Sequence, residues 1–237
     1  MKGISILLIG NLLFLSEALS VCSEPQPRLV CAEYFASDLV VEGSLVRTQP
    51  VYDKRERSYR VANIYTVRVS HIFRGDNEEN VRIYESNDSG RATFDWIPGT
   101  KYILFLFRPP NHKLWELDGC GNSGPLRTAK AVLSELNTID LQSRYGTIHG
   151  VVSRGYLTYR LSGVRVQARG GMDRYPAKTD KNGEFQIRVP VGDYAIIPVD
   201  ASLAFEPFEL SYSDPRHLQI QSGSYVQVQI MAHDKLP

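Results

Sequence analysis

From residue 38 to residue 117, apolar and polar positions alternate with the period of strands. The segments "DLVVEGSLV" (38–46), "RVANIYTVRVSHIF" (60–73), "NVRIYE" (80–85), "KYILFLF" (101–107) and "LWEL" (114–117) are rich in β-branched and aromatic residues. Arg74-Gly75-Asp76-Asn77, residues 86–90 and Pro98-Gly99 supply the turns between them. The second segment alternates longest, with Val61, Asn63, Tyr65, Val67 and Val69 to one side and Ile64, Thr66 and Arg68 to the other. A strand of that length can curl across a small closed barrel and serve both of its sheets. The period then changes. Leu126, Ala129, Val132, Leu133, Leu136 and Ile139 fall at helical spacing, so the pattern predicts one helix over 123–139 with its apolar face on the barrel. Ser123 is its expected N-cap, and Pro125 sits close to the first helical position, where a missing N–H costs nothing.

Between Asn137 and Gly146 the residues turn mainly polar, which places a domain boundary there. Beyond it no helical period occurs. Short strands recur about every ten residues: "TIHGVV", "GVRVQAR", "GEFQIRV", "GDYAIIPV", "FELSYS", "HLQIQ" and "SYVQVQIMA". Seven short strands with turn signals between them predict a β-sandwich. In the last, Tyr225, Val226, Val228, Ile230 and Met231 interleave with Gln227 and Gln229, which predicts one buried and one wet face.

The amino terminus sets the expected compartment. Lys2 precedes the apolar run "ISILLIGNLLFL", and Ala18-Leu19-Ser20 offers a cleavage point before Val21, so residues 1–20 read as a secretory signal peptide. Gly10 and Asn11 interrupt the run, which falls short of the ~20 apolar residues needed to span a bilayer. The rival reading is lipidation of Cys22, because Leu19-Ser20-Val21-Cys22 is a bacterial lipobox with Val21 where a small residue belongs. A membrane association is expected only through that modification; otherwise the chain is read as secreted or periplasmic.

Formal net charge is +1, and the basic residues are scattered, which removes the electrostatic footprint of a nucleic-acid-binding protein. The one dense run, "DKRERSYR" (53–60), has mixed signs between two strand-like segments and reads first as a solvated hairpin tip, second as a patch for an anionic partner. Three cysteines, Cys22, Cys31 and Cys120, entering an oxidising compartment give one disulfide and one leftover thiol as the simplest count. No Cys-x-x-Cys or His-x-x-x-His occurs, so no zinc site is expected.

Three motifs invite chemistry. Asp180, Asn182 and Glu184 space oxygen ligands as a calcium loop does, but Phe185 and Val191 stand where such a loop needs Gly and a bidentate Glu. The bland reading, a tight Asp180-Lys181-Asn182-Gly183 turn leading into a strand, is preferred. "GCGNSG" (119–124) matches G-x-G-x-x-G literally, yet only one helix follows and no buried parallel strand precedes it, so a glycine-rich approach to the helix is expected rather than a dinucleotide site. Gly121-Asn122-Ser123-Gly124-Pro125 also echoes a serine nucleophile loop. The histidines at 71, 112, 149, 217 and 233 stand in no matching motif. Asn87-Asp88-Ser89 is a glycosylation sequon if the source is eukaryotic, and Trp96 reads as a core or rim aromatic.

Two resemblances sharpen the fold. "GTIHGVV", "LSGVRVQARG", the Thr-Asp-Lys-Asn-Gly-Glu-Phe turn and "VPVGDYAI" together resemble the carboxypeptidase regulatory-like, or transthyretin-like, domain over residues 146–234. That likeness implies a module without an active site, which stiffens, spaces or presents other domains, with Phe185 and Tyr194 in its core. "FASDLVVEGSLV", "YTVRVSHIFRGDNEENVRIYES", "IPGTKYILFLF" and "LWELDGCGNSGPL" resemble the netrin-like fold shared with tissue inhibitors of metalloproteinases, over residues 31–136. That likeness implies an OB-type barrel with a packed helix, and pairs Cys31 with Cys120. Closing so long a loop is worth roughly 4 kcal/mol in the chain-entropy model. The inhibitors' opening Cys-x-Cys is absent, and Val21 precedes Cys22.

The expected fold class is therefore mainly β: an OB-like five-stranded barrel with one packed helix, then a seven-stranded immunoglobulin-like (transthyretin-like) sandwich. Expected boundaries are 1–20 for the signal peptide, 21–140 for the barrel unit, 141–145 for a linker and 146–235 for the sandwich. The expected function is a secreted, non-enzymatic module for binding or presentation, with no cofactor, no metal and no nucleic acid, and with a protein or surface polysaccharide as partner. The alternatives are a protease inhibitor acting through the barrel and, behind it, a hydrolase centred on Ser123.

Overall fold

The computed structural model describes residues 28–87, 94–110, 112–155, 159–200, 202–207 and 213–235. The expected signal peptide and Cys22 lie outside them. Among the described residues no helix is long and apolar enough to cross a membrane. The chain runs α1 (Val30–Ala36), β1 (Leu39–Tyr52), β2 (Arg60–Arg74), β3 (Asn80–Ser86), β4 (Lys101–Phe107), β5 (Glu116–Leu117), β6 (Gly124–Pro125) and α2 (Lys130–Leu136). It continues with β7 (Tyr145–Arg154), β8 (Tyr159–Arg160), β9 (Arg165–Gly170), β10 (Asp173–Lys178), β11 (Glu184–Pro190), β12 (Gly192–Pro198), β13 (Leu203–Pro207), β14 (Leu218–Ile220) and β15 (Tyr225–Asp234). The protein is mainly β.

The first sheet has the order β3-β2-β1-β4-β5, with β6 also on β4. It closes on itself through Trp115, whose N–H donates to the Arg82 carbonyl at 3.0 Å and whose carbonyl accepts the Tyr84 N–H at 2.8 Å. Five strands thus make a barrel filled by residues such as Val41, Val67, Val81, Ile83, Leu104 and Leu106. The uninterrupted apolar run of β4 is explained by burial on both faces. Tyr102, Leu104 and Leu106 point into the barrel, while Ile103 and Phe105 point outward and meet Val30 and Tyr34 of α1 and Leu136 of α2. Phe94 and Trp96 plug the barrel, Trp96 stacking on Tyr65 with ring centroids 4.6 Å apart.

The helix expected over 123–139 is shorter than its apolar pattern. All six apolar positions pack against β1 and β4 as their spacing implies, but the helix starts only at Lys130. Its N-cap is Ala129, which makes no side-chain capping bond, so Ser123 is not the cap. The reason is competition for β4: Pro125 pairs with Tyr102 and Gly124 with Ile103, and the Ser123 hydroxyl accepts the Phe105 N–H at 2.9 Å. Leaving those strand N–H groups unpaired would cost more than a helix turn returns. A second helix, α1, was not expected; seven residues are too few to show a period.

The strands after residue 145 pair only with one another, in two sheets, β10-β9-β12-β14 and β11-β7-β15-β13, with β8 beside β7. β15 runs parallel to β7 and the other pairings are antiparallel. Ile148 and Val228 from one sheet meet Val166 and Ile196 from the other in a common core, the expected sandwich. Phe185 and Tyr194 lie in that core. The described residues hold nine strands rather than seven. β8 is two residues long, β10 is an edge strand carrying Pro176 and little apolar pattern, and β13 precedes the segment "FELSYS", most of which lies outside the described residues.

Candidate functional site

The turn at Asp180 is built locally. Asp180 Oδ1 accepts the N–H groups of Asn182 at 2.8 Å and Glu184 at 2.9 Å, and Gly183 supplies the positive φ of +72° that closes the turn. The carboxylate is therefore committed to backbone donors. Glu184 turns instead toward Arg160 at 3.0 Å and His149 Nε2 at 3.8 Å. Among the described residues no group of three or more His, Cys, Asp or Glu side chains is arranged to hold a metal.

The "GCGNSG" loop serves a different carboxylate. Glu33 of α1 is 2% exposed, and its Oε2 accepts the backbone N–H of Asn122 at 2.6 Å and the Asn122 amide at 2.7 Å. Arg28 lies 3.7 Å from Glu33 Oε1 and 3.0 Å from Asp118. Burial pushes the Glu33 carboxyl above its ordinary range, against the Asn122 donors and the Arg28 charge, which pull it down. A Cβ on residue 121 would fall on Glu33 Oε1 itself, so Gly121 is required by that close approach. A buried carboxyl occupies the ground a pyrophosphate would need, which is a physical reason against the nucleotide reading of this motif. Ser123 Oγ, as an acceptor for β4, extends the ladder. The histidines are engaged elsewhere: His71 against Phe73, His112 against Tyr84, and His149, His217 and His233 beside Glu184, Asp214 and Glu206.

The cysteines depart from the expected pairing. Cys120 is disulfide-bonded, but Cys31 is a free thiol and is not its partner. Helix geometry explains why. Cys31 and Glu33 are two positions apart on α1, about 200° around the helix, so they cannot share a face. Glu33 faces the loop that carries Cys120; Cys31 faces α2, where burial and the nearby Glu135 charge push its thiol pKa up. Cys22, expected to be unpaired or lipidated, lies outside the described residues.

Cys31 opens instead onto a cleft of about 520 Å³ between α1, the connection 138–143 and the outer face of the sandwich. Its lining includes Asp140, Tyr145, Thr147, Gln186, Arg188 and Tyr225. Arg188 lies over the Tyr145 ring at 4.7 Å and makes no ion pair among the described residues. Tyr145 is 45% exposed. A second hollow, between Asp38, Asp76, Glu78, Arg108 and Trp115, is satisfied internally: Arg108 stacks on Trp115 at 4.0 Å and pairs with Glu78 at 3.2 Å.

The floor of the 520 Å³ cleft was not legible as a site, because its residues come from three strands and a connection far apart in sequence. The face beside it differs from the pattern of β15. Gln227 and Gln229 are 1% and 3% exposed, so the expected wet face of β15 is covered. The Leu29 N–H donates to Gln227 Oε1 at 2.9 Å, across 198 positions of the chain.

Comparison with protein-family models finds no match, and comparison with curated proteins finds none. Among solved structures, the Bacillus anthracis TIE protein shares 10% identity, with 82% of this chain and 34% of that one covered at a TM-score of 0.29. The chain thus spans about a third of that structure's length, and an overlap this loose carries no argument.

Proposed function

We propose that this protein is a non-enzymatic binding module that works outside the cytoplasm. The carrying observation is how its polar groups are employed. Ser123, Asp180 and Glu33, the residues best placed by motif or burial to do chemistry, all accept backbone N–H groups and hold loops in place. The groups left open to solvent in a concavity, around Tyr145 and Arg188, are of the kind that recognise a ligand. The leader-like residues 1–20 support export, and the likeness of residues 146–234 to carboxypeptidase regulatory-like domains supports a presenting role.

The test uses the full mature chain, immobilised and exposed to the extracellular fraction of its source. Saturable retention of a component that is released chemically unchanged is the expected result. Turnover of the retained component, or labelling of Ser123 by an activated phosphonate, would sink this reading.

A further inference from the structure

We propose that the cleft between α1, the 138–143 connection and the sandwich is a binding site for a short, uncharged oligosaccharide. This deepens the binding reading above and rests on it. The volume of about 520 Å³ lies within the roughly 300–1,000 Å³ of small-molecule sites, which suits a short oligosaccharide better than a long polymer.

The lining selects the class of ligand. Its charges oppose one another, Arg188 against Asp140, so there is no surplus of positive charge to hold a phosphate or a polyanion. Ile139 is its main aliphatic side chain, too little for a lipid or an apolar drug-like group. An extended peptide lying on this floor fares no better, because the floor is a strand face: at its centre Thr147 is already paired with Arg188 on one side and Tyr225 on the other, so side chains rather than a free main-chain ladder meet the ligand there. What the cleft does present is hydroxyls from Thr138, Ser143 and the two tyrosines, the Gln186 amide and two aromatic rings.

That is the complement of a sugar ring, whose C–H face is apolar and whose edge is a row of hydroxyls that both donate and accept. Arg188 is central. Its guanidinium is held over Tyr145 at 4.7 Å and has no carboxylate partner among the described residues, so its planar donors are already ordered for a pair of neighbouring hydroxyls. Ordering in advance removes part of the entropic cost of binding. Tyr145, exposed on its remaining surface, offers the stacking partner.

The test is saturation-transfer NMR and calorimetric titration of the full mature chain. The probes are neutral trisaccharides (maltotriose, cellotriose, chitotriose and laminaritriose), with trigalacturonate and inorganic phosphate as charged arms. The expected result is binding of at least one neutral trisaccharide, weakened tenfold or more by Y145A and by R188Q. R188K, which keeps the charge and loses the planar fork, is expected to weaken binding as R188Q does, and Y59A on the distant hairpin to leave it unchanged. All three cleft variants alter exposed side chains, and an unchanged thermal melt confirms their folding. Binding only to the charged probes, no binding to any neutral probe, or equal binding by Y145A and wild type overturns the proposal. If the extracellular ligand is still retained by Y145A and R188Q while the trisaccharides fail, the cleft assignment falls and the binding reading stands. If the wild type retains nothing, both fall.

Discussion

Two loops in this protein use one device, a carboxylate that accepts backbone N–H groups, and use it at opposite scales. At Asp180 the acceptor and its donors are two and four residues apart, and the turn is exposed. At Glu33 the acceptor and its donors in Asn122 are 89 residues apart, and the carboxyl is buried. The first is a piece of local grammar that turns the chain from β10 in one sheet to β11 in the other. The second joins α1 to the end of the barrel and exists only when both are in place. In both cases the residues resemble a ligand site in one dimension, and in both the ligand is the protein's own backbone.

The comparison can be broken most forcefully at Glu33. E33A removes the acceptor for two partly buried donors and leaves Arg28 without one of its two carboxylates, so a loss of about 3 kcal/mol is expected in urea unfolding. E33Q, which keeps one oxygen, is expected to lose only about 1 kcal/mol. Equal losses for the two would show that packing, not hydrogen bonding, holds the loop. G121A drives a methyl group into the same carboxyl and is expected to cost about 2 kcal/mol. A neutral result there would mean that the loop has room the structure does not show.

D180A sharpens the contrast from the other side. Water can reach both orphaned N–H groups, so about 1 kcal/mol is expected, with faster amide exchange confined to the turn. A loss as large as that of E33A would erase the distinction between local and tertiary use.

A smaller effect is expected from pH, with opposite signs in the two regions. Burial lowers the pKa of His149. Its contribution to stability is therefore complete above the unfolded value of about 6.5 and is lost as pH falls from there toward the depressed folded value. Glu33 is raised, so its contribution is complete below the unfolded value of about 4.3 and is lost as pH rises through the folded value. Urea midpoints at pH 7.5 and 5.5 should accordingly drop in the wild type and flatten in H149Q. An unchanged drop in H149Q would assign it to another group.

The effect least coupled to stability is thiol reactivity. Alkylation of the native, unreduced protein should label Cys31, slowly, because its thiol is half-buried with a raised pKa, and should leave Cys120 unlabelled. Protection of Cys31 until the protein is reduced would restore the pairing with Cys120 that the netrin-like resemblance implied.

Much of the fold was legible in sequence. The bounds of β4, from Lys101 to Phe107, follow from an apolar run that only a doubly buried strand explains, and the Asp180 turn follows from a side chain that bonds to backbone no more than four positions away. The contacts of Leu126, Ala129, Val132, Leu133, Leu136 and Ile139 follow from their spacing. These features share a cause: each is set by interactions between neighbours in the chain, or by a period that repeats along it.

What the tertiary structure alone decided is everything that depends on which distant surface arrives first. Ser123 caps no helix because β4 claims its oxygen. Cys31 misses Cys120 because α1 turns Glu33, not the thiol, toward that loop. Gln227 is dry because Leu29 lies on it. The Tyr145–Arg188 cleft exists because three strand ends and a helix converge there. A sequence specifies the polar groups that must find partners; when a partner can be local the pattern shows it, and when it must come from across the chain only the packed molecule does.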